Sequence, residues 1–214
     1  MAKITVVGGT GYAGSHIAQV AADRGHEVTS YSRSIPETQI AGVTYATGSI
    51  LDGDIAAAVV EGADVVLVAL SPRGDMAGKT AAAIAALAAR ARVAGKRIGV
   101  IGGAGSLFVS EGGPLVADTE GFPAEIKPEA DEMAQVLADL RASDAELDWF
   151  FVSPAGGFGA WVPGEATGVF RIGGDVLLVD ENGESNISGA DLAAAIIDEV
   201  ETPAHRRQRF TAAY

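Results

Sequence analysis

The 214-residue chain contains no cysteine. That excludes a disulfide framework, a thiolate zinc site and a cysteine nucleophile, and it fits a reducing compartment. Basic residues are scarce: 15 Lys and Arg stand against 28 Asp and Glu, for a net charge of −13. A phosphate-lined surface is repelled by such a chain, so no nucleic-acid partner is expected. Long apolar runs are missing as well. The stretch AAAIAALAARARVAG is interrupted by Arg90 and Arg92 and is too short for a bilayer. The opening MAKITVVGG lacks the apolar core and cleavage site of a secretory signal. A cytoplasmic protein with no membrane partner is the expectation. His16, His26 and His205 lack neighbours at metal-ligand or triad spacing, so each is expected to be structural or solvent-facing, with no metal bound. The carboxylates Asp52, Asp54, Asp118 and Glu120 read as a solvated acidic surface.

What is present is an alternation of strand and helix patterns. KITVVG is a β-branched run, followed by a glycine turn and a helix from Tyr12 to about Arg24 that Gly25 closes. HEVTSYS and VTYATG read as strands, and DGDIAAAVVEG as a short helix ended by Gly62. ADVVLVAL is a continuous apolar run, the mark of a strand buried on both faces of a parallel sheet. A helix from about Met76 to Val93 leads into the strand RIGVIGG. Beyond it, SLFVSEGGPLVADTEGFPAEI has no clear period. Pro128 suits the first turn of a helix running to about Ser143, and LDWFFVSP is a sixth strand. GVFRIGGDVLLVDENGES predicts a hairpin turning at Gly173-Gly174. Ser188 and Asp191 resemble a capping box for GADLAAAIIDEVE, and RQRFTAAY closes the chain as a strand.

This alternation defines an α/β fold, a Rossmann-type doubly wound parallel sheet with helices on both faces and a small C-terminal extension. One domain over residues 1–214 is expected, with about 155–214 forming an acceptor-side loop, hairpin, last helix and closing strand. Sheets of this kind take ligands beyond the carboxyl ends of their strands.

Gly8, Gly11 and Gly14 form G-x-x-G-x-x-G between the first strand and first helix. The first glycine permits a tight turn, the second lets the backbone approach a pyrophosphate, and the third lets helix and strand pack closely. Thr10, Tyr12 and Ala13 share that loop, whose helix N-terminus offers free N–H groups to phosphates. No Lys-Ser or Lys-Thr follows, which excludes a Walker-type loop. The second strand ends in Ser32 and Arg33, without the carboxylate that grips NAD ribose hydroxyls about 20 residues on. A guanidinium holds a 2′-phosphate that a carboxylate would repel, so NADP(H) is expected in preference to NAD(H), which stays possible. Ile50 and Leu51 are expected walls of the adenine pocket.

The glycine motif, SRS, GGAGSL, DWFFVSPA, and the tail from TGVFRIGGDVLLVDENGESNISGADLAAAIIDEVE to RFTAAY resemble the atypical short-chain dehydrogenase/reductase superfamily. More narrowly they are similar to its small NAD(P)H-binding members described as NADH–flavin reductases, related to NmrA-like and biliverdin reductase B-like proteins. The resemblance covers essentially the whole chain and implies a Rossmann fold with an extra C-terminal lobe. It further implies nicotinamide-dependent reductase activity. The superfamily's usual catalytic pair, a Tyr with a Lys four residues on, is absent, because none of Tyr12, Tyr31, Tyr45 and Tyr214 has a Lys at that spacing. An epimerase or ketone reductase of the usual kind is therefore disfavoured.

Reduction of a flavin needs mainly stacking and exclusion of water. The expected activity is NADPH-dependent reduction of a flavin or a quinone-like acceptor, with FMN, FAD or riboflavin as substrate. The alternative is a non-catalytic NADP(H)-binding redox sensor of NmrA type. Ala69, Leu70 and Ser71 close the fourth strand and should face the cofactor, as should Gly103 after the fifth. Ser153, Pro154 and Ala155 end the sixth strand, near the carboxamide. Ser106 lies where the superfamily has its helper serine and is the candidate catalytic residue, polarising an acceptor oxygen. With Phe158 and Trp161 on the loop AGGFGAWVPG it forms the expected substrate pocket. Oligomeric state stays open between monomer and homodimer.

Overall fold

The computed structural model describes residues 1–214. Eight strands form one sheet: β1 (Lys3–Val7), β2 (Glu27–Ser32), β3 (Val43–Thr47), β4 (Val65–Val68), β5 (Arg97–Ile101), β6 (Trp149–Pro154), β7 (Arg171–Gly173) and β8 (Gln208–Ala213). The helices are α1 (Tyr12–Asp23), α2 (Gly53–Glu61), α3 (Thr80–Val93), α4 (Lys127–Arg141) and α5 (Gly189–Glu201). Strand order is β3-β2-β1-β4-β5-β6-β8-β7, and every pairing is parallel except β7 with β8. The chain winds outward from β1 through β3, then returns to place β4 on the other side of β1. That reversal sets a topological switch point between β1 and β4, where a crevice opens.

Alternation along the strands builds two cores. Val66 and Val68 of β4 pack with Ile98 and Val100 of β5 and Phe151 of β6 under α2, α3 and α4. Val65 and Leu67 point the other way, joining Ile4, Val6, Phe150 and Phe210 under α1 and α5. The continuous apolar sequence of β4 is thus buried on both faces, as expected of a central parallel strand. Small residues make room for the rings of β6: a Cβ added at Gly99 would sit 2.2 Å from Phe150, and one at Gly102 would sit 2.1 Å from Phe151.

Three local expectations are corrected. The helix expected from Met76 begins at Thr80, because Gly78 adopts a left-handed φ of 69° and residues Gly74–Met76 form a separate 3₁₀ turn. The hairpin at Gly173-Gly174 does not form. Neither glycine has the positive φ of a primed turn; β7 pairs with β8 instead, and the segment beyond bonds to Phe108 through Phe108 N–H to Asp175 O and Leu177 N–H to Phe108 O. The edge of β8 already offers a ladder, so a closed hairpin has no advantage. Finally, Ser188 caps α5 by accepting from Asp191 N–H at 3.1 Å, but Asp191 does not return the bond. Its carboxylate instead accepts from Thr167 N–H, Gly168 N–H and the Tyr214 hydroxyl, tying the 165–168 segment and the C-terminus to α5.

Candidate functional site: a cleft at the strand ends

The glycine loop lies at the carboxyl end of β1. Gly8 takes a φ of 83°, and a Cβ there would come 2.4 Å from Ala69 O; one at Gly14 would come 2.2 Å from Gly8 O. The first and last glycines therefore set the turn and the approach of α1 to the strand. Gly9, which the motif does not count, is equally constrained, since its Cβ would meet Ser30 Oγ at 2.2 Å. Gly11 caps α1 with no side-chain hydrogen bond and no acidic residue in the first turn. The amides of Tyr12, Ala13 and Gly14 find no acceptor in the protein. Together with the positive end of the helix they suit a phosphate. Thr10 N–H is held by Ser32 Oγ at 3.1 Å, so Ser32 braces the loop from β2.

Beside this loop a cleft of about 510 Å³ opens across the ends of β4, β5 and β6. Gly11, Tyr12 and Ala13 form one end, with Ala69, Leu70 and Ser71 just after β4 and Gly103 and Ser106 from the turn after β5 along its floor. Pro154, Ala155, Phe158 and Trp161 come from the far side. The structure thus gathers most of the expected site residues at one surface. Others fall elsewhere. Ser153 is fully buried with its hydroxyl unpartnered and does not line the cleft. Ile50 is buried in the core beneath α2, while Leu51 is exposed. Arg33 is largely exposed and pairs with Asp75 at 3.3 Å, across from the end of β2.

A wall of the cleft missed by sequence pattern comes from the aperiodic 107–126 stretch and α4: Phe122, Ile126, Ala130 and Met133. The available signal was the apolar spacing of Ile126, Ala130 and Met133, which puts them on one helix face. Arg73 and Glu129 are the charged lining residues, and they neutralise each other, with Arg73 Nε 2.8 and 2.6 Å from the two Glu129 oxygens.

Tyr12 is the tyrosine of the cleft, but its hydroxyl is committed: it donates to Pro163 O at 3.0 Å and accepts from Gly189 N–H at 3.2 Å. Its ring meets Phe158 at 5.3 Å and His16 at 5.0 Å, fastening the 156–164 loop to α1. Phe158 also packs on the core, so it anchors the loop, whereas Trp161 is 71% exposed and lies against Gly159 at the cleft mouth.

The histidines have structural settings. His16 is lowered below its ordinary value by burial against α5. His26 Nδ1 accepts from Ala2 N–H while Nε2 faces Glu201 at 3.0 Å, and His205 Nδ1 lies 2.7 Å from Glu199.

A crevice at the switch point, a glycine loop with free helix amides and a lined cleft beyond it define a dinucleotide-binding protein of Rossmann type. An NAD(P)H-binding family model matches residues 8–203, and the chain belongs to that family. The resemblance to atypical short-chain dehydrogenases/reductases holds accordingly. Several solved structures are similar over their whole length. A "putative exported protein" from Burkholderia pseudomallei is 42% identical with a TM-score of 0.87, covering 100% of both chains. A "putative NADH-flavin reductase" from Streptococcus pneumoniae TIGR4 is 32% identical with a TM-score of 0.83, covering 100% of this chain and 99% of that one. A "putative epimerase" from Bacteroides thetaiotaomicron is 33% identical with a TM-score of 0.88, covering 99% of this chain and 96% of the other. No helix of this chain is long and apolar enough to cross a membrane.

Proposed function

We propose that the protein is an NADPH-dependent reductase of a flat, conjugated acceptor, a flavin or a quinone. The observation that carries this reading is the cleft: an apolar, aromatic-edged space directly continuous with the glycine loop, holding one mutually neutralised charge pair and no free tyrosine. Bound nicotinamide supplies hydride chemistry. The amides of Tyr12, Ala13 and Gly14 receive the pyrophosphate, Arg33 the 2′-phosphate, and Ala69–Ser71 with Pro154 and Ala155 border the nicotinamide end. The small space left by Gly103, where an added Cβ would meet nothing within 4 Å, admits a ring near the strand ends. Phe122, Met133, Phe158 and Trp161 exclude water and offer apolar faces to an acceptor.

An epimerase needs an acid–base pair that this cleft lacks, because Tyr12 is hydrogen-bonded to backbone and no lysine lines the space. The test is an acceptor screen: NADPH and NADH offered in parallel with FMN, riboflavin and menadione, following nicotinamide absorbance. Turnover faster with NADPH supports the reading. Tight NADPH binding without turnover on any acceptor overturns it in favour of an NADP(H)-binding sensor.

A further inference from the structure

The residue behind Ser106 is an arginine inside the sheet. Arg209 sits on β8 opposite Phe151, and its side chain is 1% exposed. Its Nη1 donates to Ser106 O at 2.8 Å and to Ser106 Oγ at 3.1 Å, while Nε donates to Asp175 Oδ1 at 2.6 Å. Asp175 is in turn held by Arg141 at 2.7 Å. Burial draws the Arg209 guanidinium below its ordinary value and Asp175 opposes that, leaving a cation. Ser106 is itself 9% exposed and forms part of the cleft. Its oxygen accepts from Arg209, and its own O–H donates to no protein atom.

A buried cation is costly to keep, and neither a lysine nor a glutamine could bond Ser106 through one nitrogen while two others hold Asp175. Nη1 of Arg209 reaches both the carbonyl and the hydroxyl of Ser106 while Nε and Nη2 hold Asp175, fixing that turn and its side chain together. A hydroxyl whose oxygen accepts from a cation is a stronger donor through its remaining proton.

We infer that Arg209 is a positioning residue for the reaction: it orients Ser106 and polarises its O–H toward the carbonyl oxygen of a conjugated acceptor. This rests on the reductase reading of the cleft. When the nicotinamide C4–H bond breaks and its hydride bonds to the acceptor ring, nicotinamide is oxidised and the acceptor is reduced. Negative charge then grows on the acceptor's conjugated oxygen, and water supplies the proton that neutralises it. Ser106 keeps its own proton and contributes a preorganised hydrogen bond at the oxygen where charge develops. The arrangement takes over part of the role that a Tyr–Lys pair plays elsewhere, using a cation from β8, beside β6.

The test is a double-mutant cycle on Ser106→Ala and Arg209→Gln, with Arg209→Lys as the variant that retains charge at the buried position. Three quantities are read in the full-length protein: kcat and KM for NADPH oxidation with menadione, riboflavin binding by fluorescence quenching, and the thermal midpoint. Ser106→Ala is expected to lower kcat on the order of 100-fold, with the KM for NADPH unchanged. Arg209→Gln should fall to the same level, and adding it to Ser106→Ala should cost nothing more in kcat. Arg209→Lys should keep part of the rate, and its deficit should vanish in the Ser106→Ala background.

Arg209 substitutions that lower kcat equally with and without the Ser106 hydroxyl overturn the inference, as do substitutions without effect in a folded protein. If Arg209→Gln does not fold, the Arg209→Lys cycle decides on the same criteria. If the wild type binds riboflavin but turns over no acceptor, the reductase reading fails separately. The inference then stands only if the two substitutions weaken riboflavin binding non-additively. Absence of both turnover and riboflavin binding overturns both.

Discussion

Removing the guanidinium at the end of β2 should change cofactor choice rather than fold. Arg33 has a side chain 72% exposed, and Asp75, its partner at 3.3 Å, is 80% exposed. An ion pair that open is worth roughly 0.2–1 kcal/mol, so Arg33→Ala leaves the thermal midpoint nearly unchanged. A charge-assisted contact to a 2′-phosphate is worth about 1.5–3 kcal/mol. Arg33→Ala should therefore weaken NADPH binding by roughly 10- to 150-fold while NADH binding shifts less than about twofold. Asp75→Asn should act in the opposite direction. It frees Arg33 from a competing carboxylate and removes a negative charge close to the phosphate, so NADPH binds about 1.5- to 5-fold tighter. Titrating each variant with both nucleotides by calorimetry, at low and at high salt, measures all of these. The NADPH advantage should shrink with added salt because the contact is exposed. Equal losses for the two nucleotides in Arg33→Ala would refute the 2′-phosphate role, and unchanged NADPH affinity in Asp75→Asn would refute the competition.

Gly14→Ala places a methyl 2.2 Å from Gly8 O, a backbone atom that cannot turn aside, so it should cost about 1–3 kcal/mol and loosen nucleotide binding, read by urea unfolding with and without NADPH. Trp161→Ala, at a side chain 71% exposed, should leave stability within about 0.5 kcal/mol and raise the acceptor KM roughly 2- to 10-fold; an unchanged KM removes Trp161 from the acceptor site. The buried carboxylates set the acid limit. Burial acts to raise Asp191 and Glu199, but hydrogen bonds from Thr167, Gly168 and Tyr214 on the one, and from Arg97 and His205 on the other, hold both below the ordinary range. Their contribution is complete above the unfolded-state value of about 4 and is lost as pH falls through the depressed folded values. Urea midpoints should begin to decline below about pH 6.5, where unfolded His16 takes a proton that the buried ring resists, and drop further below about pH 4 as the carboxylates protonate; Asp191→Asn should lower the neutral midpoint and flatten the acid decline.

Much of the scaffold was legible because its signals are local. The β-branched run of β1, the glycines after it and Gly25 ending α1 each carry their structural instruction within a few residues. The unbroken apolar run of β4 announced a strand covered on both faces. The failures were contests between a local preference and a distant partner. Gly173-Gly174 looks like a turn, but the edge of β8 and the backbone of Phe108 took the hydrogen bonds. Asp191 looks like half of a capping box, yet its carboxylate serves the segment at Thr167 and the Tyr214 hydroxyl. The floor of the cleft was foreseen at strand ends, where topology dictates it. Its wall from Phe122 to Met133 was not: Phe122 lies in a stretch without a period, and the apolar spacing of Ile126, Ala130 and Met133 marks a helix face without saying what that face meets.

By itself, then, the sequence determined a doubly wound nucleotide-binding fold, the glycine loop at the end of β1 and the absence of the Tyr–Lys pair, since each is a matter of residue type at short spacing. Tertiary structure alone decided which serine hydroxyl borders the cleft and which is sealed beneath it, that Tyr12 is spent on backbone bonds, and that Arg209 stands behind Ser106. Those facts depend on residues 103 to 177 positions apart meeting in space. Burial and hydrogen-bond satisfaction are settled by all the neighbours at once, and no short stretch of chain contains them.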